Sequence, residues 1–181
     1  QKDIQHMTEA DIEKNLKEIG ASRYRLISYD SEEAKRISLF TMIAPQANIP
    51  VISRAATGFG YFNVFPDSDG TIRWSPLAVS CRGVLYPSLA LELARVYLKA
   101  PAPDIYISED GVYKVVLGDI EIPTNAKGEL LINYRGPVRT FPYYSFVDVL
   151  KGRVDKDDLS GRIAIIGTSA VGTYDLRVTP V

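Results

Sequence analysis

Residues 104–122, Asp104-Ile105-Tyr106-Ile107-Ser108-Glu109-Asp110-Gly111-Val112-Tyr113-Lys114-Val115-Val116-Leu117-Gly118-Asp119-Ile120-Glu121-Ile122, are rich in β-branched and aromatic side chains and are punctuated at Asp110-Gly111 and Gly118-Asp119. Such side chains suit a pleated, half-buried surface, and glycine reverses the chain because it takes positive φ without steric cost. Short strands are therefore expected around Asp104 to Ile107, Tyr113 to Leu117 and Ile120 to Ile122. Past the turn at Lys127-Gly128, Leu130 to Tyr134 reads as the next strand of the same meander.

Working towards the N-terminus, Pro87 suits a helix's first turn, and Leu89, Leu93, Val96 and Tyr97 form an amphipathic stripe that ends before Pro101. Gly60 to Phe65 and Thr71 to Leu77 read as two strands of a hairpin closed by Pro66-Asp67-Ser68-Asp69-Gly70. Ser31 to Pro45 admits a helix, with Ala34, Ile37 and Thr41 on one face, although Ile37 to Ile43 also fits a strand. Tyr24 to Tyr29 reads as a strand. Ile12, Leu16 and Ile19 make one stripe of a helix from Glu9 to Ile19, with Thr8 and Asp11 at capping-box spacing and Gly20 as the stop.

Working towards the C-terminus, Ser145 and Asp148 match a second capping box, ahead of a short helix carrying Phe146, Val149 and Leu150 and closed by Gly152. Arg153 to Asp158 reads as a solvated charged turn. Ile163-Ala164-Ile165-Ile166 is a continuous apolar run, which suits a strand buried on both faces, with Gly167 directly after it. Helices interleaved with hairpins imply a mixed α/β (α+β) fold in one domain: a mixed β-sheet with a hairpin, a meander and packed helices.

The 181 residues suffice for a core, and a net charge of -1 provides no field for nucleic acid or an acidic membrane. One cysteine, Cys81, forms no internal disulfide and reads as a small buried apolar residue. No apolar run is long enough to span a bilayer, so membrane contact is expected only through segments outside this sequence. The start at Gln1 and the end at Val181 read as a segment excised from a larger protein.

Few residue patterns could carry chemistry. The turn Gly167-Thr168-Ser169-Ala170-Val171-Gly172-Thr173 follows the apolar run and could cradle an anion, but it lacks the lysine of a phosphate-binding loop. Asp67-Ser68-Asp69-Gly70 resembles the start of a calcium loop, yet Phe65 and Pro76 stand where further oxygen ligands belong. A hairpin turn is the simpler reading. His6 is the single histidine, which argues against a histidine metal cluster or a histidine-assisted nucleophile. Asp157-Asp158 belongs to the charged turn and not to an acid-base pair. Tyr134 and Arg135, followed by Phe141-Pro142-Tyr143-Tyr144, could wall a pocket and fork a guanidinium onto a carboxylate; alternatively Arg135 pairs with an internal acid and the tyrosines pack.

Several blocks together resemble the CHASE type 2 domain, the cyclase/histidine kinase-associated sensory extracellular domain. They are residues 58–64 (GFGYFNV), 67–73 (DSDGTIR), 86–90 (YPSLA), 131–137 (LINYRGP), 145–152 (SFVDVLKG), 159–170 (LSGRIAIIGTSA) and 175–180 (DLRVTP). The resemblance covers about residues 58–181 and is weaker over 1–57, so the expectation is one extracytoplasmic sensor domain, shortened at both ends. It implies a non-catalytic input domain, periplasmic or extracellular, of a transmembrane receptor with a cyclase, histidine kinase or protein kinase output.

Asp67, Asp69, Gly70 and Arg73 are expected to build a structural turn, and Arg135 and Tyr134, with Thr168, Ser169 and Asp175 on the strand-end turn, to contact a ligand. No cofactor, metal or nucleic acid is expected. The expected partners are an unknown small molecule or physical stimulus and a second copy of the receptor. The rival readings are a dimerisation or assembly module without a ligand and, more remotely, a small serine hydrolase using Ser169 or Cys81.

Overall fold

The computed structural model describes residues 7–137, 139–167 and 179–180. In chain order the described elements are α1 (Glu9–Ile19), β1 (Leu26–Tyr29), β2 (Thr41–Met42), α2 (Pro50–Ala55), β3 (Trp74–Pro76), β4 (Ala78–Cys81), β5 (Val84–Pro87), α3 (Leu89–Leu98), β6 (Asp104–Ser108), β7 (Gly111–Leu117), β8 (Ile120–Ile122), β9 (Glu129–Leu131), α4 (Phe146–Leu150) and α5 (Lys156–Leu159). This is a mixed α/β fold with mixed sheets. It divides into two compact units, Gln1–Phe65 with Trp74–Leu131 and Pro66–Arg73 with Ile132–Val181.

In the first unit the expected meander forms. β6, β7 and β8 are antiparallel neighbours, and β1 adds a parallel strand to give the order β1-β6-β7-β8. Ile105, Ile107, Val112, Val115 and Leu117 are buried in the main core. Val112 and Val115 are three apart, which strict alternation would send to opposite faces. The register shift opposite Tyr106 and Ile107 absorbs the odd residue, since Lys114 pairs with Tyr106 while Val112 pairs with Ile107.

A second sheet, ordered β2-β4-β5, lies between two cores. Ala78 and Leu85 belong to the main core, whereas Val79, Cys81 and Tyr86 belong to a smaller one that also packs Leu16, Ile19, Phe40, Met42, Tyr61 and Phe65. Both faces of the hairpin are thus covered, so β4 is almost continuously apolar. The tight turn is made by Arg82 and Gly83, both at positive φ. Tyr24 is buried against the main core, and its hydroxyl donates to the Leu77 carbonyl at 3.1 Å.

α1 starts as expected: the Asp11 amide donates to Thr8 Oγ1 at 3.2 Å while the Thr8 amide donates to Asp11 Oδ2 at 3.0 Å. α3 also forms, but Ser88 caps it and Pro87 ends β5. Its buried face is Leu91 and Glu92, not the expected stripe, and Leu89, Val96 and Tyr97 are exposed. The Arg95 guanidinium explains why a glutamate can lie inward: it donates to Glu92 Oε1 at 2.7 Å and to Oε2 at 2.8 Å.

Five further expectations are corrected. Residues 60–65 and 71–77 do not pair as a hairpin. Tyr61 instead bridges to Ser88, and β3 pairs antiparallel with β9, because Tyr61 and Phe65 are drawn into the smaller core. β9 therefore leaves the meander and stops at Leu131. Ser31 to Pro45 forms no α-helix but a 3-10 turn, Ala34–Arg36, and of the alternative strand Ile37 to Ile43 only Thr41–Met42 forms, as β2 parallel to β4. The Arg153 to Asp158 stretch contains a helical turn, α5, whose cap is Asp155. Ile163 to Ile166 forms no strand, and Ile163, Ile165 and Ile166 are exposed. α4 is present, although the Ser145 side chain makes no capping bond. The hairpin β4–β5 and the helix α2 were not foreseen.

Candidate ligand-sensing site

The turn after Phe65 is closed by backbone and side chains together. The Gly70 amide donates to the Asp67 carbonyl at 2.9 Å, and the Asp67 amide donates to the Thr71 carbonyl at 2.9 Å. Gly70 sits at φ +82, which is why glycine belongs there. Arg73 returns over the turn and forks onto it. Its Nη1 donates to Asp67 Oδ2 at 2.9 Å and to Asp69 Oδ1 at 3.0 Å, and its Nη2 donates to Asp69 Oδ2 at 2.8 Å. The Thr71 amide adds a bond to Asp69 Oδ1 at 2.9 Å. Hydrogen bonds from Arg73 and then Thr71 hold the Asp69 carboxyl far below the usual carboxylate range. Asp67 and Asp69 thus face a guanidinium, an arrangement that closes a turn.

The chain after β9 runs beside this turn within the second unit. The Ile132 amide donates to the Arg73 carbonyl at 2.9 Å, and the Tyr134 hydroxyl donates to the Ile72 carbonyl at 2.7 Å. Partial burial pushes the Tyr134 phenol up. The tyrosine is a strut tying residues 132–135 to the Asp67–Arg73 turn. Arg135 follows directly and is exposed; among the described residues it has neither an acidic partner nor a hydrogen bond. Phe141, Tyr143 and Tyr144 do not pack inward; all three are exposed.

Thr168, Ser169 and Asp175, with the rest of the turn after Gly167, lie outside the described residues, as does His6. Cys81 is buried, and burial pushes its thiol up despite the neighbouring Arg82. A protonated, enclosed thiol is a poor nucleophile.

A feature missed in the sequence is the close pass of residues 58–61 over α3. The Phe59 amide donates to Ser22 Oγ at 2.7 Å, the Tyr61 amide to the Pro87 carbonyl at 3.1 Å, and the Leu89 amide to the Tyr61 carbonyl at 2.7 Å. A Cβ on Gly60 would stand 2.6 Å from Leu89 N, and one on Gly58 2.8 Å from Glu92 Cδ. The Gly-Phe-Gly spacing, with a Glu and an Arg three apart on the following helix, was the available signal.

The CHASE2 domain family model matches residues 2–181. The chain belongs to the CHASE2 family. The match reaches into the N-terminal residues, where the resemblance was weaker. CHASE2 domains are sensory extracellular domains of signalling receptors and are not themselves catalytic, so this is a sensory domain of that kind. Neither a curated protein nor a solved structure matches it. Among the described residues no helix of this CHASE2 domain is long and apolar enough to cross a membrane.

Proposed function

We propose that this CHASE2 domain is the input module of a transmembrane receptor that works as a pair of identical chains, with a cyclase, histidine kinase or protein kinase as output. It responds to a small carboxylate or similar anion held by Arg135, with Tyr134, Thr168, Ser169 and Asp175 as further contacts. The supporting observation is the pairing state of Arg135. Asp67 and Asp69 are engaged by Arg73, while Arg135 is exposed, follows the Tyr134 strut in the chain and has no acidic partner among the described residues. A planar fork of donors in that state matches a carboxylate.

Signalling requires the anion to favour one receptor arrangement over another, since equal affinity for both shifts nothing. A thermal-shift screen of small carboxylates and phosphates against residues 1–181 tests the reading. A ligand at a hundred times its Kd adds about 2.7 kcal/mol of stability. A hit whose shift disappears in Arg135→Ala, with the unliganded melting temperature unchanged, supports the site. A screen without hits, or hits indifferent to Arg135→Ala, removes it.

A further inference from the structure

The helix α3 is apolar on two faces. One turns Leu91 into the main core, where Ala94 packs beside it. At about 100° per residue, Leu89, Ala90, Leu93, Val96 and Tyr97 fall together on the side away from that core, within an arc of about 120°. Leu89, Ala90, Val96 and Tyr97 are exposed and Leu93 is partly so, which leaves one unbroken apolar strip along the outside of the helix. The charges that a surface helix turns to water are drawn inward instead: Glu92 is buried and holds Arg95 beside Gly58.

A helix apolar on both sides belongs in an interior. α3 is too short to cross a bilayer, since its ten residues rise about 15 Å against a hydrocarbon core of about 30 Å. A helix that lies on a lipid surface carries a cationic polar face, whereas on α3 Arg95 is engaged by Glu92 and Lys99 stands only at the end. Leu89, Leu93 and Val96 follow one another at spacings of four and three, the seam that a second helix fills. Two copies of this strip bring no like charges together.

We infer that α3 packs on α3 of a second copy, antiparallel about a two-fold axis at Leu93, with Leu89 opposite Tyr97 of the second copy. Such a pairing is isologous and closes as a dimer, and the opposed helix dipoles favour the antiparallel sense. The join is small, yet it suffices for chains held side by side in one receptor, where effective concentration replaces affinity. The inference rests on the reading of the receptor as a pair and assigns the surface that joins it.

Sedimentation of residues 1–181 up to the millimolar range tests it, with circular dichroism and the melting temperature checking the fold. The mass should rise from 20.1 kDa towards twice that value. Tyr97→Glu, at an exposed position, should hold it at one chain with the melting temperature unchanged. On mild oxidation Leu93→Cys should give a disulfide-linked dimer and Ile120→Cys, exposed on β8, should not; the native Cys81 is buried. A wild-type chain that stays monomeric throughout, as it would if its own chain or a different protein covered α3, overturns the proposal. So does a dimer that survives Val96→Glu and Tyr97→Glu together, equal cross-linking at the two cysteine positions, or a monomer that instead floats with anionic lipid vesicles. The carboxylate screen repeated on Tyr97→Glu reads loss of sensing separately from loss of pairing.

Discussion

Arg73 holds Asp69 by two parallel bonds, Nη1 to Oδ1 at 3.0 Å and Nη2 to Oδ2 at 2.8 Å, and the same guanidinium reaches Asp67. The pair is solvent-exposed, so its value lies in fixing the turn more than in global stability. Because the Asp69 pKa is depressed in the folded state, its contribution is complete above the ordinary aspartate value of about 3.9 and declines as pH falls below it. A carbon-detected NMR titration should find Asp69 still ionised well below the ordinary aspartate value. In Arg73→Ala its midpoint should rise towards the ordinary range, held partly down by the remaining Thr71 bonds, with faster exchange of the Thr71 amide.

Gly60 and Gly70 separate two reasons for glycine. A Cβ on Gly60 would run into the backbone of Ser88 and Leu89, which cannot rotate aside, so Gly60→Ala should cost about 2 kcal/mol or more. Gly70 has open space around it but sits at φ +82, so Gly70→Ala should cost only about 1 kcal/mol. Urea midpoints of the two variants should fall in that order; a milder effect at Gly60 would contradict the close pass over α3.

Glu92 is buried and its neutralising partner Arg95 is only partly exposed. Glu92→Ala leaves Arg95 facing Gly58 without its carboxylate and should lose about 3 kcal/mol, read as a lower denaturation midpoint. Arg95→Ala should be similarly damaging, since it strands the carboxylate.

Burial pushes the Tyr24 and Tyr61 phenols above the ordinary tyrosine range. A raised folded-state pKa means their contribution to stability is complete below about pH 10 and is lost as pH rises beyond it. Ultraviolet titration should show Tyr24 and Tyr61 ionising only as the protein unfolds in alkali. Tyr24→Phe removes the bond to the Leu77 carbonyl and should cost about 1–2 kcal/mol.

Local signals carried the parts of the fold that are decided locally. Thr8 and Asp11 cap α1, Gly111 and Gly118 turn the meander, and Asp67–Gly70 turns as its residues suggest. What failed was decided by distant partners. Nothing within residues 60–77 reveals that Trp74 pairs with Leu131 or that Phe65 packs on Phe40. The α3 stripe was misread because periodicity counts Glu92 as polar, whereas Arg95 makes its burial tolerable. The hairpin β4–β5 was hidden because a strand covered on both faces does not alternate. At the site, the Asp–Arg turn was legible from residue types, but the unpaired state of Arg135 required a three-dimensional inventory of its neighbours.

The most direct test of the domain as a sensor is the output of a membrane receptor carrying it, assayed with and without the carboxylate that best stabilises residues 1–181. The compound should change output in the native receptor and leave the Arg135→Ala receptor at its basal level. Output indifferent to the compound in the native receptor, or consumption of the compound by the isolated domain, would contradict the sensor role.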